Sequence, residues 1–173
     1  MSGAERITLN LCQHLQSSGH HVDLVCPSEG WLTRQASGSK IPVHVMSLRG
    51  LESLKTFLFL RKFVKENKVD VIHSHLTRAA YHCYLLSRIT GTPLVTSVHV
   101  ANGDKIYPRI AREGNKLVAV SSFIAGTLIG RGVPFKFIEL IYNGTDFHKI
   151  ARTDRQNTRF ELGLEPEDFV IGV

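Results

Sequence analysis

Nine histidines are spread along the 173 residues, and three of them stand where an imidazole can share or move a proton. His99 follows directly on Leu94-Val-Thr-Ser-Val98, a β-branched apolar run of the kind that forms a buried strand. Its ring is therefore expected to project from a strand end into a cleft, where a neutral imidazole can both donate and accept a hydrogen bond. The alternative is a loop histidine with no ligand. His73 and His75 form an H-x-H pair at the end of Val69-Asp-Val-Ile, a further predicted strand over residues 69–73. Alternate residues of an extended chain face one side, so the pair could share a metal ion. No third ligand is recognisable nearby, and the expectation is no metal site, a structural His73 and a cleft-facing His75.

Two further positions carry small polar residues at strand ends. Lys116-Leu-Val-Ala-Val stops at Ser121, and Phe137-Ile-Glu-Leu-Ile-Tyr stops at Asn143. A buried parallel strand delivers a functional loop at its carboxyl end, and ligands of open α/β sheets sit in the crevice outside those ends. Ser121 is expected to cap the helix that follows, and Asn143-Gly144 to make a tight turn, so both belong to the wall of the site rather than to its chemistry. At the other end of the chain, Gly3 opens a predicted helix. Free N–H groups and the positive dipole end there favour a phosphate, although a lone glycine beside a helix start also serves as a plain capping residue.

The elements that position these residues alternate along the whole chain. Helices are predicted over residues 4–18, 51–68, 77–90 (with Thr77 as N-cap) and 121–131, and strands over 21–26, 41–46, 69–73, 94–98, 116–120 and 137–141. Residues 103–114 form a weakly patterned connection with one short helix. Helix and strand in alternation require a doubly wound parallel α/β sheet of the Rossmann kind. In such a fold a central strand would precede the Ser2-Gly3 loop, and no residues precede Met1 to form it. Its absence is expected to leave a slot between two strands. A polar, linker-like stretch over residues 151–168 precedes Phe169-Val-Ile-Gly-Val173, which has the composition of a strand beginning a second domain. The sequence thus reads as a domain over residues 1–150, a linker over 151–168 and the start of another domain at 169–173, a fragment cut at both ends.

Composition narrows the function. The net charge of +6 and pI near 9.4 suit an anionic ligand, but Lys and Arg are interspersed with acids and no nucleic-acid-binding signature is present, so no nucleic-acid partner is expected. Cys12, Cys26 and Cys83 are odd in number and lack C-x-x-C spacing, which argues against a disulfide framework and a zinc site and reads as small core hydrophobes in a reducing cytosol. No signal peptide or membrane-spanning run is recognisable, so the expected location is cytoplasmic. Asn143-Gly-Thr145 matches a glycosylation sequon and reads as a turn. No G-x-G-x-x-G or Walker loop is found, which sets aside nicotinamide-dependent oxidation and nucleoside triphosphate hydrolysis.

The ordered pieces Ser2-Gly-Ala-Glu-Arg6, Ser18-Gly-His-His-Val22, Val69-Asp-Val-Ile-His-Ser-His75, Leu94-Val-Thr-Ser-Val-His99, Val118-Ala-Val-Ser121 and Ile141-Tyr-Asn-Gly-Thr-Asp146 together resemble the retaining GT-B glycosyltransferases of family four, in order and spacing, over nearly the whole chain. The resemblance implies the amino-terminal, acceptor-side domain of an enzyme that moves a sugar from a nucleoside-diphosphate sugar to a glycan or lipid-linked acceptor, as in polysaccharide or lipopolysaccharide synthesis, with no cofactor. It makes His99 the residue that hydrogen-bonds sugar hydroxyls beside the reacting carbon, places Gly3 and Ser2 at the donor diphosphate, and puts His75, Ser121 and Asn143 on the cleft wall or against the acceptor. The family usually has paired glycines where this chain has Ser2-Gly3. The carboxylate motif that holds the donor belongs to the second domain, so the 173 residues alone are expected to be inactive.

A noncatalytic Rossmann-type binding module or remnant, and a nucleotide-sugar epimerase of the same architecture, are the competing readings. The run Leu54-Lys-Thr-Phe-Leu-Phe-Leu-Arg-Lys-Phe-Val-Lys65 adds a basic amphipathic helix, read either as a cover for the sheet with a solvated basic face or as peripheral contact with an anionic membrane surface.

Overall fold

The structure, a computed structural model, describes residues 2–100, 105–144, 154–165 and 167–171. The chain divides into two compact units, residues 1–143 and 144–173.

In the first unit, α1 (Gly3–Ser17) leads to β1 (Leu24–Cys26), α2 (Trp31–Gly38) and β2 (Val43–Val45). Then come α3 (Glu52–Glu66), β3 (Ile72–His75), α4 (Thr77–Thr90), β4 (Leu94–Val98), α5 (Ile106–Ile110), β5 (Lys116–Ala119), α6 (Ser122–Gly130) and, after a 3-10 turn at Phe135–Phe137, β6 (Ile138–Leu140). Every strand pair is parallel. The strands form two sheets, β1-β2 and β3-β4-β5-β6. Among the described residues β1 pairs with β2 and β3 with β4, and no ladder joins the two sheets.

Each sheet has its own core. Leu94, Val98, Leu117, Ala119 and Ile138 from the four-stranded sheet pack with Ala80 of α4, Ile106, Tyr107 and Ile110 of α5, and Ile124 and Leu128 of α6. Leu9 and Cys12 of α1 pack with Leu24 and Cys26 of β1, Ala36 of α2 and Ile41. Cys12 and Cys26 thus serve as the small core residues expected, and burial raises both thiol pKa values.

Local chemistry explains most boundaries. Gly91 ends α4 in the left-handed conformation, φ 79°, which only glycine adopts without penalty, and Pro93 then prevents resumption of the helix. Ser121 caps α6 as expected, its Oγ accepting from the Ile124 amide at 3.2 Å. Thr77 is not the N-cap of α4. Leu76 holds that position without a side-chain bond, and Thr77 is the first helical residue, its hydroxyl sharing a 3.0 Å hydrogen bond with that of buried Tyr107. The third strand also begins later than predicted, because its ladder with β4 starts at Ile72 opposite Leu94. His73 and His75 therefore lie within β3.

In the second unit, residues expected to be a linker contain α7 (Arg155–Glu161), capped by Asp154. Its helix buries no residue. Phe169–Ile171, predicted to begin a strand, have no strand structure. A strand exists through its ladder to a neighbour, and composition alone does not supply one.

Candidate functional site

Four parallel strands bring four of the predicted residues to one edge of the sheet. His75 ends β3, His99 follows β4, Ser121 follows β5 by two residues, and Asn143 lies three residues beyond β6. The β3–β4 register sets His75 opposite Ser97 and Ser74 opposite Thr96. Because side chains alternate, one face carries His73, His75, Ser97 and His99, and the other carries Ser74 and Thr96, whose hydroxyls meet at 2.8 Å in the core.

On the first face the three imidazoles form a row. The rings of His73 and His75 are stacked, with centroids 4.5 Å apart and planes 20° apart. His73 Nε2 is 2.9 Å from Ser97 Oγ, which anchors it and agrees with a structural role. His75 Nδ1 lies 3.1 Å from His99 Nε2. Those two ring centroids are 5.4 Å apart and the planes 25° apart, a separation that matches the bond plus one ring radius at each end. They consequently meet edge to edge, nearly in the plane that an N–H···N bond requires. Among the described residues no group of three His, Cys, Asp or Glu side chains is arranged to hold a metal ion.

The backbone beside this row is strained. Leu76, immediately after His75, has φ 69° and ψ 154°, a region that is nearly glycine's alone and costs a side-chain-bearing residue about 1–3 kcal/mol. Such strain persists only where surrounding contacts enforce it. Here β3 holds the preceding residue in register, and the Thr77–Tyr107 bond ties the start of α4 to α5.

Burial keeps the row uncharged. It lowers the pKa of His75 to about 3, with further depression from the charges that His73 and His99 would carry. Burial likewise lowers the pKa of His99, and burial and then His99 lower that of His73. A depressed imidazole pKa means that the unfolded chain binds the proton better, so this contribution to stability is complete above the unfolded value near 6.5 and declines as pH falls towards the folded value. His75 alone is expected to cost about 2 kcal/mol of stability at about pH 5 relative to neutral pH. His73 is the more exposed by surface area and adds less, since solvent screens its charge. Urea unfolding at the two pH values measures the loss, and identical midpoints would contradict a buried neutral row.

Ser2 and Gly3 open α1 but are joined by no hydrogen bond to the imidazole row among the described residues. Ser2 makes a complete capping box: its Oγ accepts from the Glu5 amide at 3.3 Å, and the Glu5 carboxylate accepts from the Ser2 amide at 2.6 Å. The helix start thus already holds an anionic group. Glu5 is marked in the sequence only by S-x-x-E at a helix start, the signature of a capping box. A Cβ built on Gly3 meets no atom within 4 Å, so the surface there is open. Asn143 and Gly144 are exposed, and the rest of the motif, from Thr145, lies outside the described residues.

This architecture defines the class: a parallel α/β domain with its candidate site at the carboxyl edge, matching the amino-terminal half of GT-B glycosyltransferases. The model of Glycosyltransferase Family 4 matches residues 1–149, and the chain belongs to that family. It is 25% identical over 107 residues to the UDP-Gal:alpha-D-GlcNAc-diphosphoundecaprenol alpha-1,3-galactosyltransferase of Escherichia coli, an alignment covering 60% of this chain and 27% of that protein. Similar solved structures include a glycosyltransferase from Rickettsia africae, with TM-score 0.77, 20% identity and coverage of 95% of this chain and 47% of that one. Anabaena Alr3699/HepE in complex with UDP-glucose matches with TM-score 0.77, 20% identity and coverage of 94% and 47%. The chain therefore spans about half the length of these structures.

Proposed function

We propose that this chain forms the acceptor-side half of a retaining glycosyltransferase that moves a sugar from a nucleoside-diphosphate sugar to a glycan or lipid-linked acceptor. The observation that carries the reading is the position of His99, one residue beyond the carboxyl end of β4, in a chain of this family. In the reaction the bond between the anomeric carbon and the diphosphate oxygen breaks. The acceptor oxygen bonds to that carbon on the same face, and the acceptor proton passes to the departing diphosphate. His99 hydrogen-bonds the sugar hydroxyls beside that carbon. The backbone amides at Gly3, together with cationic groups, stabilise charge growing on the phosphate. For this to happen the Glu5 carboxylate must give up its place at the start of α1 to the diphosphate.

The acceptor side offers apolar surface. Each strand end of the larger sheet is followed by an exposed apolar side chain: Leu76 at 50%, Val100 at 59%, Phe123 at 72% and Tyr142 at 64%. Such a rim suits an acceptor carried on a lipid better than a free polar glycan. Leu51, just before α3, and Leu54 and Leu58 on it are exposed beside Lys55, Arg61, Lys62 and Lys65, which supports peripheral contact with anionic lipid. Lys55 and Lys62 already face Glu52 and Glu66 at 2.8 and 3.8 Å, so the preference for anionic headgroups rests on Arg61 and Lys65 beside the apolar residues. No helix among the described residues is long and apolar enough to cross a membrane. Cosedimentation is expected with anionic vesicles in preference to neutral ones, and equal recovery with both would remove the membrane from the proposal.

The function is tested by joining this chain to the donor-side half of the E. coli relative and following radiolabelled sugar. Acceptor-dependent transfer is expected from the joined enzyme and negligible transfer from the 173 residues alone. Turnover by the chain alone, or sugar-nucleotide consumption that needs no acceptor, would overturn the proposal.

A further inference from the structure

We infer that His75 is a positioning residue for His99: it holds the His99 ring by Nε2, leaving Nδ1 as the nitrogen presented to a substrate hydroxyl. This rests on the proposed role of His99. The edge-to-edge contact at 3.1 Å occupies one nitrogen of each ring. His75 is itself held on three sides, by stacking on His73, by the β3–β4 ladder opposite Ser97, and by the strained turn at Leu76. His73 is in turn fixed through Ser97 Oγ. The row runs from a buried serine to a half-buried ring, so the order of the sheet is passed on to a residue that no longer belongs to a strand.

A neutral imidazole pair has one proton for the shared bond, and its placement decides what His99 offers. When His75 Nδ1–H donates, His99 carries its proton on Nδ1 and presents a donor. When His99 Nε2–H donates, its Nδ1 presents a lone pair. Removing His75 leaves both His99 tautomers open and both ring flips available. Burial, which opposes charge on either ring, favours a hydrogen-bonding role over full proton capture.

The test combines a spectroscopic and a kinetic readout. In the chain labelled with 15N-histidine, coupling between His75 Nδ1 and His99 Nε2 across the hydrogen bond is expected, with His99 in one dominant tautomer. His75→Phe keeps a ring to stack on His73 but has no nitrogen, and His75→Asn restores a polar group near Nδ1. In the joined enzyme, His75→Phe is expected to lower kcat about tenfold with KM little changed, His75→Asn to recover part of the loss, and His75→Phe to cost nothing further in a His99→Ala background. An unchanged His99 tautomer in a folded His75→Phe protein, or full additivity in the double variant, would overturn the assignment. Full activity in His99→Ala would instead overturn the site reading itself, and the cross-bond coupling identifies that case because it reports the pair without reference to turnover.

Discussion

Alanine at position 99 is expected to lower kcat of the joined enzyme about 10²–10³-fold, roughly 3–4 kcal/mol of transition-state stabilisation, with little effect on folding. The asymmetry follows from where the residue sits. His99 is half-buried, lies just past the strand, and has His75 as its hydrogen-bond partner; no core cluster contains it. Truncation therefore removes a polar group from the cleft without opening a cavity in the core. If the imidazole acts mainly as the transition state forms, kcat and kcat/KM fall together; a rise in KM at constant kcat would make it a ground-state binding group. A change smaller than about tenfold would remove His99 from the reacting centre.

The largest stability effect outside the apolar core is expected at Asn115. This side chain is 3% exposed. Its Oδ1 accepts from the Leu94 amide at 2.9 Å and its Nδ2 donates to the Ile110 carbonyl at 3.1 Å. One amide thus satisfies the buried first residue of β4 and the last carbonyl of α5, tying both to the residue that leads into β5. Asn115→Ala leaves a buried donor and a buried acceptor unpaired, and is expected to cost about 2–4 kcal/mol in urea unfolding. Asn115→Asp keeps the acceptor to Leu94 but removes the donor to Ile110, and introduces a charge where there is no cationic partner in the two bonds described. A loss below about 1 kcal/mol for Asn115→Ala would show that water replaces both bonds.

Much of this arrangement is legible in the residues. The run 116–122 carries β-branched apolar residues, a capping serine and the first residue of a helix in seven positions, and the structure reproduces it with Ser121 as cap. The helix over 77–90 is marked at its end by Gly91 and Pro93, which act locally and therefore show in sequence. Where the outcome depends on distant partners, the sequence is less informative. Val69, Asp70 and Val71 have strand composition, yet the ladder opens only where Leu94 lies opposite, and the strand runs on to take in His75 as well as His73. The helix α2 is weakly marked in sequence because Trp31–Gly38 is short and follows a glycine, and only Trp31, Leu32 and Ala36 suggest an apolar face. The edge-to-edge meeting of His75 and His99 depends on register and on a strained φ at Leu76, neither of which has a sequence signature.

The division of the strands into two sheets with two cores has a consequence for time rather than for shape. Backbone amides exchange with solvent through local openings, and contiguous packed clusters open as units. The helix α1 is anchored by Leu9 and Cys12 to the smaller cluster, whereas the strands that lead to the imidazole row belong to the larger one. An opening that frees α1, and with it Ser2 and Gly3, leaves the larger cluster's contacts unbroken, so the amides at the start of α1 and those of the strands behind the imidazole row are expected to exchange with separate lifetimes.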